Sequence, residues 1–152
     1  MKQKVWQLSK HSAGMMLRFQ TNASQILIKY ETGIRVNLDQ MSYEATNGLD
    51  LFFQEISGEY FENDRKMLRK GNTIEFRLNK LRDSSKIWLV EDMYYLYLPI
   101  YTMVSHLEIG VPKGTSFKPL QPRNEKPIVI YGTSIAQGAC ASGPGFTWTS
   151  IL

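Results

Sequence analysis

The sequence contains one cysteine, Cys140, among 152 residues, and a single thiol excludes an internal disulfide. No run approaches the roughly 20 apolar residues that a transmembrane helix requires, so we expect no membrane-spanning segment. The N-terminus, Met1 to Lys10, is too polar for the apolar core of a signal peptide. These absences leave the compartment open, and export of a longer parent protein is compatible with them.

The chain also lacks a long run of charge of one sign. Charged residues make up 21% and apolar residues 43% of the chain, which is typical of a globular domain of this length. The net charge is +4, but Lys and Arg are scattered, and the densest basic patch, Arg65 to Lys70, is short. No nucleic-acid-binding motif accompanies that patch. We predict that it is a solvated face and that the chain binds no nucleic acid.

Short segments with alternating apolar and polar residues dominate residues 14–111. This period of two predicts strands with one buried face, and no segment before residue 120 keeps a helical apolar stripe over three turns. The turn signals between the segments are Thr32-Gly33, Asn47-Gly48, Ser57-Gly58, Gly71-Asn72 and Asp83-Ser84-Ser85. The pattern indicates an all-β sandwich or barrel. Its predicted strands cover residues 17–20, 26–30, 49–53, 74–78, 93–100 and 107–111.

The pattern changes after Val111. Residues 113–126 are polar and rich in proline, as domain linkers are. Beyond Lys126 no charged residue occurs, and Ile128 to Tyr131 form a continuous apolar run. Such a run is typical of a strand in a parallel sheet that is covered on both faces. We therefore predict that the tail opens a second, α/β domain with one strand and the start of one helix.

Ser134 lies where this predicted strand passes into the predicted helix. A serine nucleophile needs a base, usually a histidine oriented by a carboxylate, and donors for the oxyanion. The helix N-terminus supplies free N–H groups, and Gly132 allows a sharp turn before it. However, Ala136 breaks the Gly-x-Ser-x-Gly pattern, and a serine at this place is more often a helix N-cap. The residues alone leave both interpretations open.

Tyr131-Gly-Thr-Ser-Ile-Ala-Gln-Gly138 resembles the first conserved block of the SGNH (GDSL-type) hydrolases. It is most similar to a bacterial branch that has Thr, here Thr133, where most relatives have Asp. Upstream, Lys10-His-Ser-Ala-Gly14 and Gly48-Leu-Asp-Leu-Phe52 resemble the β-sandwich domain of that branch, which carries a Gly-x-Asp-Leu-Tyr motif. The resemblance runs in order from about residue 5 to the end of the chain.

The resemblance implies a mainly β chain. It implies a jelly-roll-like β-sandwich over residues 1–118, a linker over 119–126 and an incomplete SGNH hydrolase domain over 127–152. Ser134 would be the nucleophile, and its backbone N–H one oxyanion donor. The catalytic Asp and His and two further donors would lie beyond Leu152, and neither His11 nor His106 is expected to replace the missing base.

The implied reaction is ester hydrolysis through an acyl-enzyme. The expected substrate is a small-molecule or carbohydrate ester, with O-deacetylation of carbohydrate as the finer expectation and no metal or organic cofactor. Residues 1–152 alone are expected to be inactive. The alternative is a non-catalytic module that binds carbohydrate or a partner, in which Trp6, Trp88 and Tyr94 to Tyr101 form a stacking platform rather than core.

Four further residues are candidates for contacts with substrate or between the domains: Gly132, Thr133, His11 and Asp50. For His11 the alternative is a hydrogen-bonded structural histidine, and for Asp50 a cap or a loop anchor facing away from Leu49 and Leu51. Two positions depart from the family pattern. Phe52 lacks the hydroxyl of the usual Tyr, and Gly143 stands where relatives commonly have Arg.

Overall fold

The protein is described here by a computed structural model, which covers residues 2–54, 60–62, 67–70, 73–77, 92–126 and 128–152. Two antiparallel sheets contain all nine strands of these residues, in the orders β4-β3-β7-β1-β9 and β5-β6-β2-β8. The strands are β1 Met16–Thr21, β2 Gln25–Arg35, β3 Asp50–Gln54, β4 Tyr60–Glu62, β5 Met67–Lys70, β6 Thr73–Arg77, β7 Asp92–Tyr97, β8 Thr102–Gly110 and β9 Phe117–Pro119. The helices are α1 Gln3–Leu8, α2 Tyr43–Asn47, α3 Ser134–Gln137 and α4 Trp148–Ile151, with a 3₁₀ turn at Pro144–Phe146.

The two sheets pack face to face through one hydrophobic core. Along β2, Ile26, Ile28 and Tyr30 are buried while the residues between them are exposed, which confirms the alternation seen in the sequence. From the other sheet, Phe19 stacks on Tyr94 with ring centroids 5.5 Å apart. Leu49, Leu51, Leu96 and Leu98 complete the buried cluster. The mainly β fold with its N-terminal sandwich is therefore confirmed.

One predicted turn is wrong. Thr32-Gly33 lies inside β2, which continues to Arg35 and pairs with β8 through a register irregularity between Glu31 and Thr32. A bulge absorbs the extra residue without ending the strand. The turn signals at 57–58, 71–72 and 83–85 lie outside the described residues.

Two short helices correct the prediction that everything before residue 120 is β. Helix α1 precedes the first strand, and α2 begins after Ser42, whose Oγ accepts a hydrogen bond from the Ala45 N–H at 3.1 Å. The serine is an N-cap of the usual type. At six and five residues, neither helix is long enough to show an apolar stripe over three turns.

The tail forms its predicted helix start but not its predicted strand. No strand is assigned over residues 128–131, where Ile128 and Val129 are 86% and 84% exposed. A strand depends on hydrogen bonds to a neighbour, and no described strand pairs with this segment. Helix α3 follows at Ser134. Among the described residues, no helix has the length and apolar character needed to cross a bilayer.

We expect replacements on the two faces of β2 to differ sharply. Ile28→Ala should lower the free energy of unfolding by about 2–5 kcal/mol, because it leaves a cavity in the closed core. Leu27→Ala is the matched control, since Leu27 is 46% exposed on the opposite face and should change stability by less than about 1 kcal/mol. Urea unfolding of both variants measures this, and equal losses would contradict the face assignment.

Candidate active site

Ser134 is the first residue of α3, and its side chain is exposed. The chain turns into the helix at Gly132, where an added Cβ would lie 2.5 Å from the Cβ of Ala136. Only glycine fits this approach, so the turn explains Gly132 without a substrate contact. Thr133 is the N-cap residue, but its side chain makes no capping hydrogen bond. The first N–H groups of the helix, including that of Ser134, have no intrahelical acceptor.

Helix α3 ends after one turn at Gly138, which has a left-handed φ of 102°. The N–H of Ala139 returns to the carbonyl of Ser134 at 2.9 Å, which closes the helix end. An added Cβ at Gly138 would lie 2.5 Å from Cγ2 of Thr147, so the chain passes close to itself here. Trp148 Nε1 donates to the carbonyl of Ile135 at 3.1 Å. These contacts join α3 to α4 in a compact unit, which we call the Ser134 cassette (residues 132–151).

His11 connects the sandwich to this cassette through Gln137. Gln137 Nε2 lies 2.9 Å from the carbonyl oxygen of Ile100, which can only accept, so the amide nitrogen is the atom that faces it. The same nitrogen lies 3.1 Å from Nδ1 of His11. His11 Nδ1 must then be the acceptor, and the ring proton of the neutral imidazole resides on Nε2.

Burial favours the neutral forms of the neighbouring His11 and Tyr101 side chains. His11 is 6% exposed and lies edge-on to Tyr101, with centroids 6.0 Å apart. Desolvation lowers the pKa of His11 below its ordinary value and favours the neutral ring. Desolvation, with the Cys140 thiol nearby, raises the pKa of the Tyr101 hydroxyl. Among the described residues, neither His11 Nε2 nor the Tyr101 hydroxyl has a hydrogen-bond partner.

Asp50 makes the second connection between the sandwich and the cassette. It lies in β3 between the buried residues Leu49 and Leu51, yet it is itself only 3% exposed. Its Oδ2 accepts a hydrogen bond from the Gly145 N–H at 2.9 Å. Phe52 lies on the same face of β3, and its ring meets that of Phe146 edge-on at 5.5 Å. Asp50 and His11 thus both contact the cassette.

The structure does not bring a base to Ser134. Among the described residues, none hydrogen-bonds the Ser134 hydroxyl. His11 reaches the same helix but contacts Gln137. His106 lies exposed in β8, 3.0 Å from Glu108 Oε1, and this hydrogen bond together with Lys29 lowers the pKa of Glu108.

The remaining candidates lie at the edge of the cassette or in the sandwich. Cys140 is exposed, and its N–H donates to Sδ of Met41 at 3.3 Å. Gly143 is buried in extended backbone at the start of the 3₁₀ turn. Tyr94 belongs to the core, whereas Trp6 is exposed beside the Lys10 ammonium. Trp88 lies outside the described residues.

Sequence reasoning did not identify the partners that hold the cassette. Gln137, Gly145 and Met41 each meet a residue about 95 to 126 positions away along the chain. No local pattern marks such a residue, because an amide, a glycine or a thioether is common in any loop. The only available signal was the glycine content of the segment 138–145.

A second feature is an open groove of about 930 Å³, which β1, β7 and the chain after β9 line. Its polar and aromatic walls include Arg18, Tyr95, Tyr97 and Arg123. Arg18 is held in place by a 2.7 Å hydrogen bond to the carbonyl of Gln121. The groove therefore offers aromatic rings beside the guanidinium groups of Arg18 and Arg123. Among the described residues, no group of His, Cys, Asp and Glu could hold a metal ion.

Two known families match separate ranges of the chain. Residues 1–117 match the family described as GxDLY, the N-terminus of SGNH-hydrolase-type esterases. Residues 125–152 match the GDSL-like lipase/acylhydrolase family. Strand β9 ends at Pro119, between the two matched ranges. The boundaries predicted at residues 118 and 126 stay predictions.

The chain is also similar to a solved structure. A crystal structure at 1.40 Å resolution of a protein from Bacteroides ovatus, described as a GDSL-like lipase, is 29% identical with a TM-score of 0.79. The match covers 100% of this chain and 43% of that one, so this chain spans less than half the length of its relative. Among curated proteins, none matches this chain significantly.

We expect His11 to make the folded chain sensitive to acid. Below pH about 6.5 the unfolded chain protonates His11, but the folded chain, with its lowered pKa, does not. The free energy of unfolding should therefore fall as the pH drops below that value, and His11→Gln should flatten the fall. Urea unfolding between about pH 7.5 and about pH 5.5 measures this.

The matched control for this prediction is His106→Gln, which replaces an exposed ring in β8 and should keep the wild-type pH dependence. An unchanged pH dependence in His11→Gln would show that His11 does not titrate differently on folding.

Proposed function

We propose that Ser134 is the nucleophile of a serine ester hydrolase, since the chain belongs to the GxDLY family, the N-terminal region of SGNH-hydrolase-type esterases. The observation that supports this most directly is the place of Ser134. It is exposed at the first position of α3, inside the segment that matches the GDSL-like lipase/acylhydrolase family. A helix N-terminus favours the negative charge that develops on the carbonyl oxygen in ester hydrolysis.

The chemistry proceeds in two halves. The Ser134 oxygen attacks the ester carbonyl carbon while a base takes its proton, and the carbonyl oxygen becomes an oxyanion near the Ser134 N–H. The oxyanion collapses, the alcohol leaves with that proton, and an acyl-serine remains. Water then attacks the acyl-serine in the same way and releases the acid. The family resemblance assigns the base, its carboxylate and the further donors to residues that follow Leu152 in the parent protein.

The finer proposal for the substrate is an O-acetylated carbohydrate. It is supported by the resemblance of residues 131–138 to the bacterial branch of the family, with Thr133 at the position before the serine. No described residue is assigned to the sugar or to the acyl group. No metal or organic cofactor is part of the proposal.

The deciding experiment uses a protein that extends past Leu152, with p-nitrophenyl acetate and acetylated xylan as substrates. Ser134→Ala should reduce kcat at least about a thousandfold, because the attacking oxygen is lost. Ser142→Ala is the matched control, since it replaces another exposed serine of the same tail and should retain turnover. Full turnover in Ser134→Ala would overturn the proposal.

Residues 1–152 alone should hydrolyse p-nitrophenyl acetate only at background rate. The hydroxyl of Ser134 has no base among the described residues, and an unassisted serine is a weak nucleophile. Initial rates with this chain and with its Ser134→Ala variant should be equal. Turnover that is lost in the variant would contradict this.

A second candidate function is binding of an oligosaccharide in the groove beside β7, which Tyr95, Tyr97 and Arg123 favour. Aromatic faces and guanidinium donors suit sugar rings and hydroxyls. Calorimetric titration of the chain with an oligosaccharide panel tests this, with Arg123→Ala as the variant expected to weaken binding. Absence of binding to every sugar would leave the sandwich as a scaffold.

A further inference from the structure

We infer that Asp50 and Phe52, in the segment Gly48-Leu-Asp-Leu-Phe52, are positioning residues for the Ser134 cassette. They hold the Gly143–Phe146 turn on the sandwich, and this turn in turn holds α3. The catalytic consequence rests on the proposed function of Ser134, whereas the positioning itself does not depend on it.

The first observation is that β3 is buried on both faces. Leu49 and Leu51 point into the core, as the period of two requires. Asp50 and Phe52 point to the opposite face, which is commonly exposed to solvent in an antiparallel sheet, and yet they are only 3% and 6% exposed. On this face they contact Gly145 and Phe146 of the cassette.

The second observation is the nature of the Asp50 contact. A carboxylate that is buried needs compensation by hydrogen bonds, and Oδ2 of Asp50 receives one from the backbone N–H of Gly145 at 2.9 Å. A bond to a charged acceptor is stronger than one between neutral groups. Because the donor is a backbone atom, the bond fixes the path of the chain at Gly145 rather than the direction of a side chain.

The third observation is steric. A Cβ on Gly145 would lie 2.9 Å from Cζ of Phe52 and closer still to Cε2, so the backbone of the turn rests directly on the ring. The Phe52 ring cannot easily move away from Gly145, since it also meets the Tyr97 ring edge-on with centroids 5.6 Å apart. The hydrogen bond to Asp50 holds the backbone of Gly145 against the sheet, and the Phe52 ring limits how closely Gly145 approaches.

Contacts between the residues after the turn and α3 fix the position of Ser134. Thr147 follows Gly145 by two residues, and its side chain packs against the backbone of Gly138 at the end of α3. Thr147 Oγ1 also lies 2.7 Å from the hydroxyl of Ser150, which donates to the Pro144 carbonyl at 3.1 Å. Trp148 Nε1 then holds the Ile135 carbonyl, one residue from Ser134. A displacement of the Gly145 backbone would therefore displace α3 as well.

The experiment measures backbone amide exchange in residues 1–152. In Asp50→Ala, the Gly145 amide should exchange about ten- to hundredfold faster, because its acceptor is gone. The amide of Ile28, in the core of the sandwich, should keep its rate. Asp50→Asn retains an acceptor and should give a smaller increase. It also serves if Asp50→Ala does not fold. Asp39→Asn, at an exposed aspartate, is the matched control and should match the wild type.

The contact with Phe52 is tested by compensation. Gly145→Ala should release the turn, whereas Phe52→Ala combined with Gly145→Ala should restore slow exchange, since the added Cβ then has room. Phe52→Tyr, the residue usual in the family motif, should keep slow exchange. A purely destabilising role for Gly145→Ala predicts additive losses in the double variant, and that outcome would overturn the inference.

Turnover provides the separate catalytic readout. In the protein extended past Leu152, Asp50→Ala should lower kcat about tenfold or more with little change in KM, because a displaced nucleophile affects the chemical step. Unchanged Gly145 exchange would overturn the positioning role, and unchanged kcat would overturn its catalytic consequence. Failure of the proposed function is a different result, namely full turnover in Ser134→Ala with the exchange pattern intact.

Discussion

The double burial of β3 is the constraint on which the rest of the site depends. Leu49 and Leu51 fill the space between the two sheets, while Asp50 and Phe52 meet the Ser134 cassette on the outer face. Because residues two apart in a strand share a face, four consecutive residues serve both contacts at once. Neither contact can move along the strand without moving the other, since a slip of one residue would turn the carboxylate of Asp50 into the core. The place of Ser134 relative to the sandwich follows from this arrangement.

The sandwich itself was largely predictable because its information is local. Alternation at Ile26, Ile28 and Tyr30 marks a strand with one buried face, and the structure buries those three residues. The failures are also physical. Gly33 was interpreted as a turn, but pairing with β8 continues across it through a bulge. Helices α1 and α2 are too short for periodicity to reveal them. Ile128 to Tyr131 have the composition of a strand, but they have no paired neighbour among the described residues.

The candidate site also has a part that the local sequence predicts and a part that it does not. The serine, its glycine turn and the helix start lie within seven residues, so a motif could identify them. The atoms that hold them in place could not be found this way. His11 meets Gln137 across 126 positions, and Asp50 meets Gly145 across 95. The sequence marks His11 and Asp50 as residues of interest, but only the folded chain shows that both contact the cassette.

The contact between Gly145 and the Phe52 ring has a consequence for how such proteins can be recombined. The turn and the strand fit each other as a matched pair, because one side lacks a side chain where the other side presents a flat ring. A hydrolase domain grafted onto an unrelated sandwich would lose this fit even if the linker between them were ideal. Exchange between relatives should therefore succeed when β3 and the Gly143–Phe146 turn travel together. The sandwich and the cassette therefore have to be exchanged together, although the linker between them suggests two separable modules.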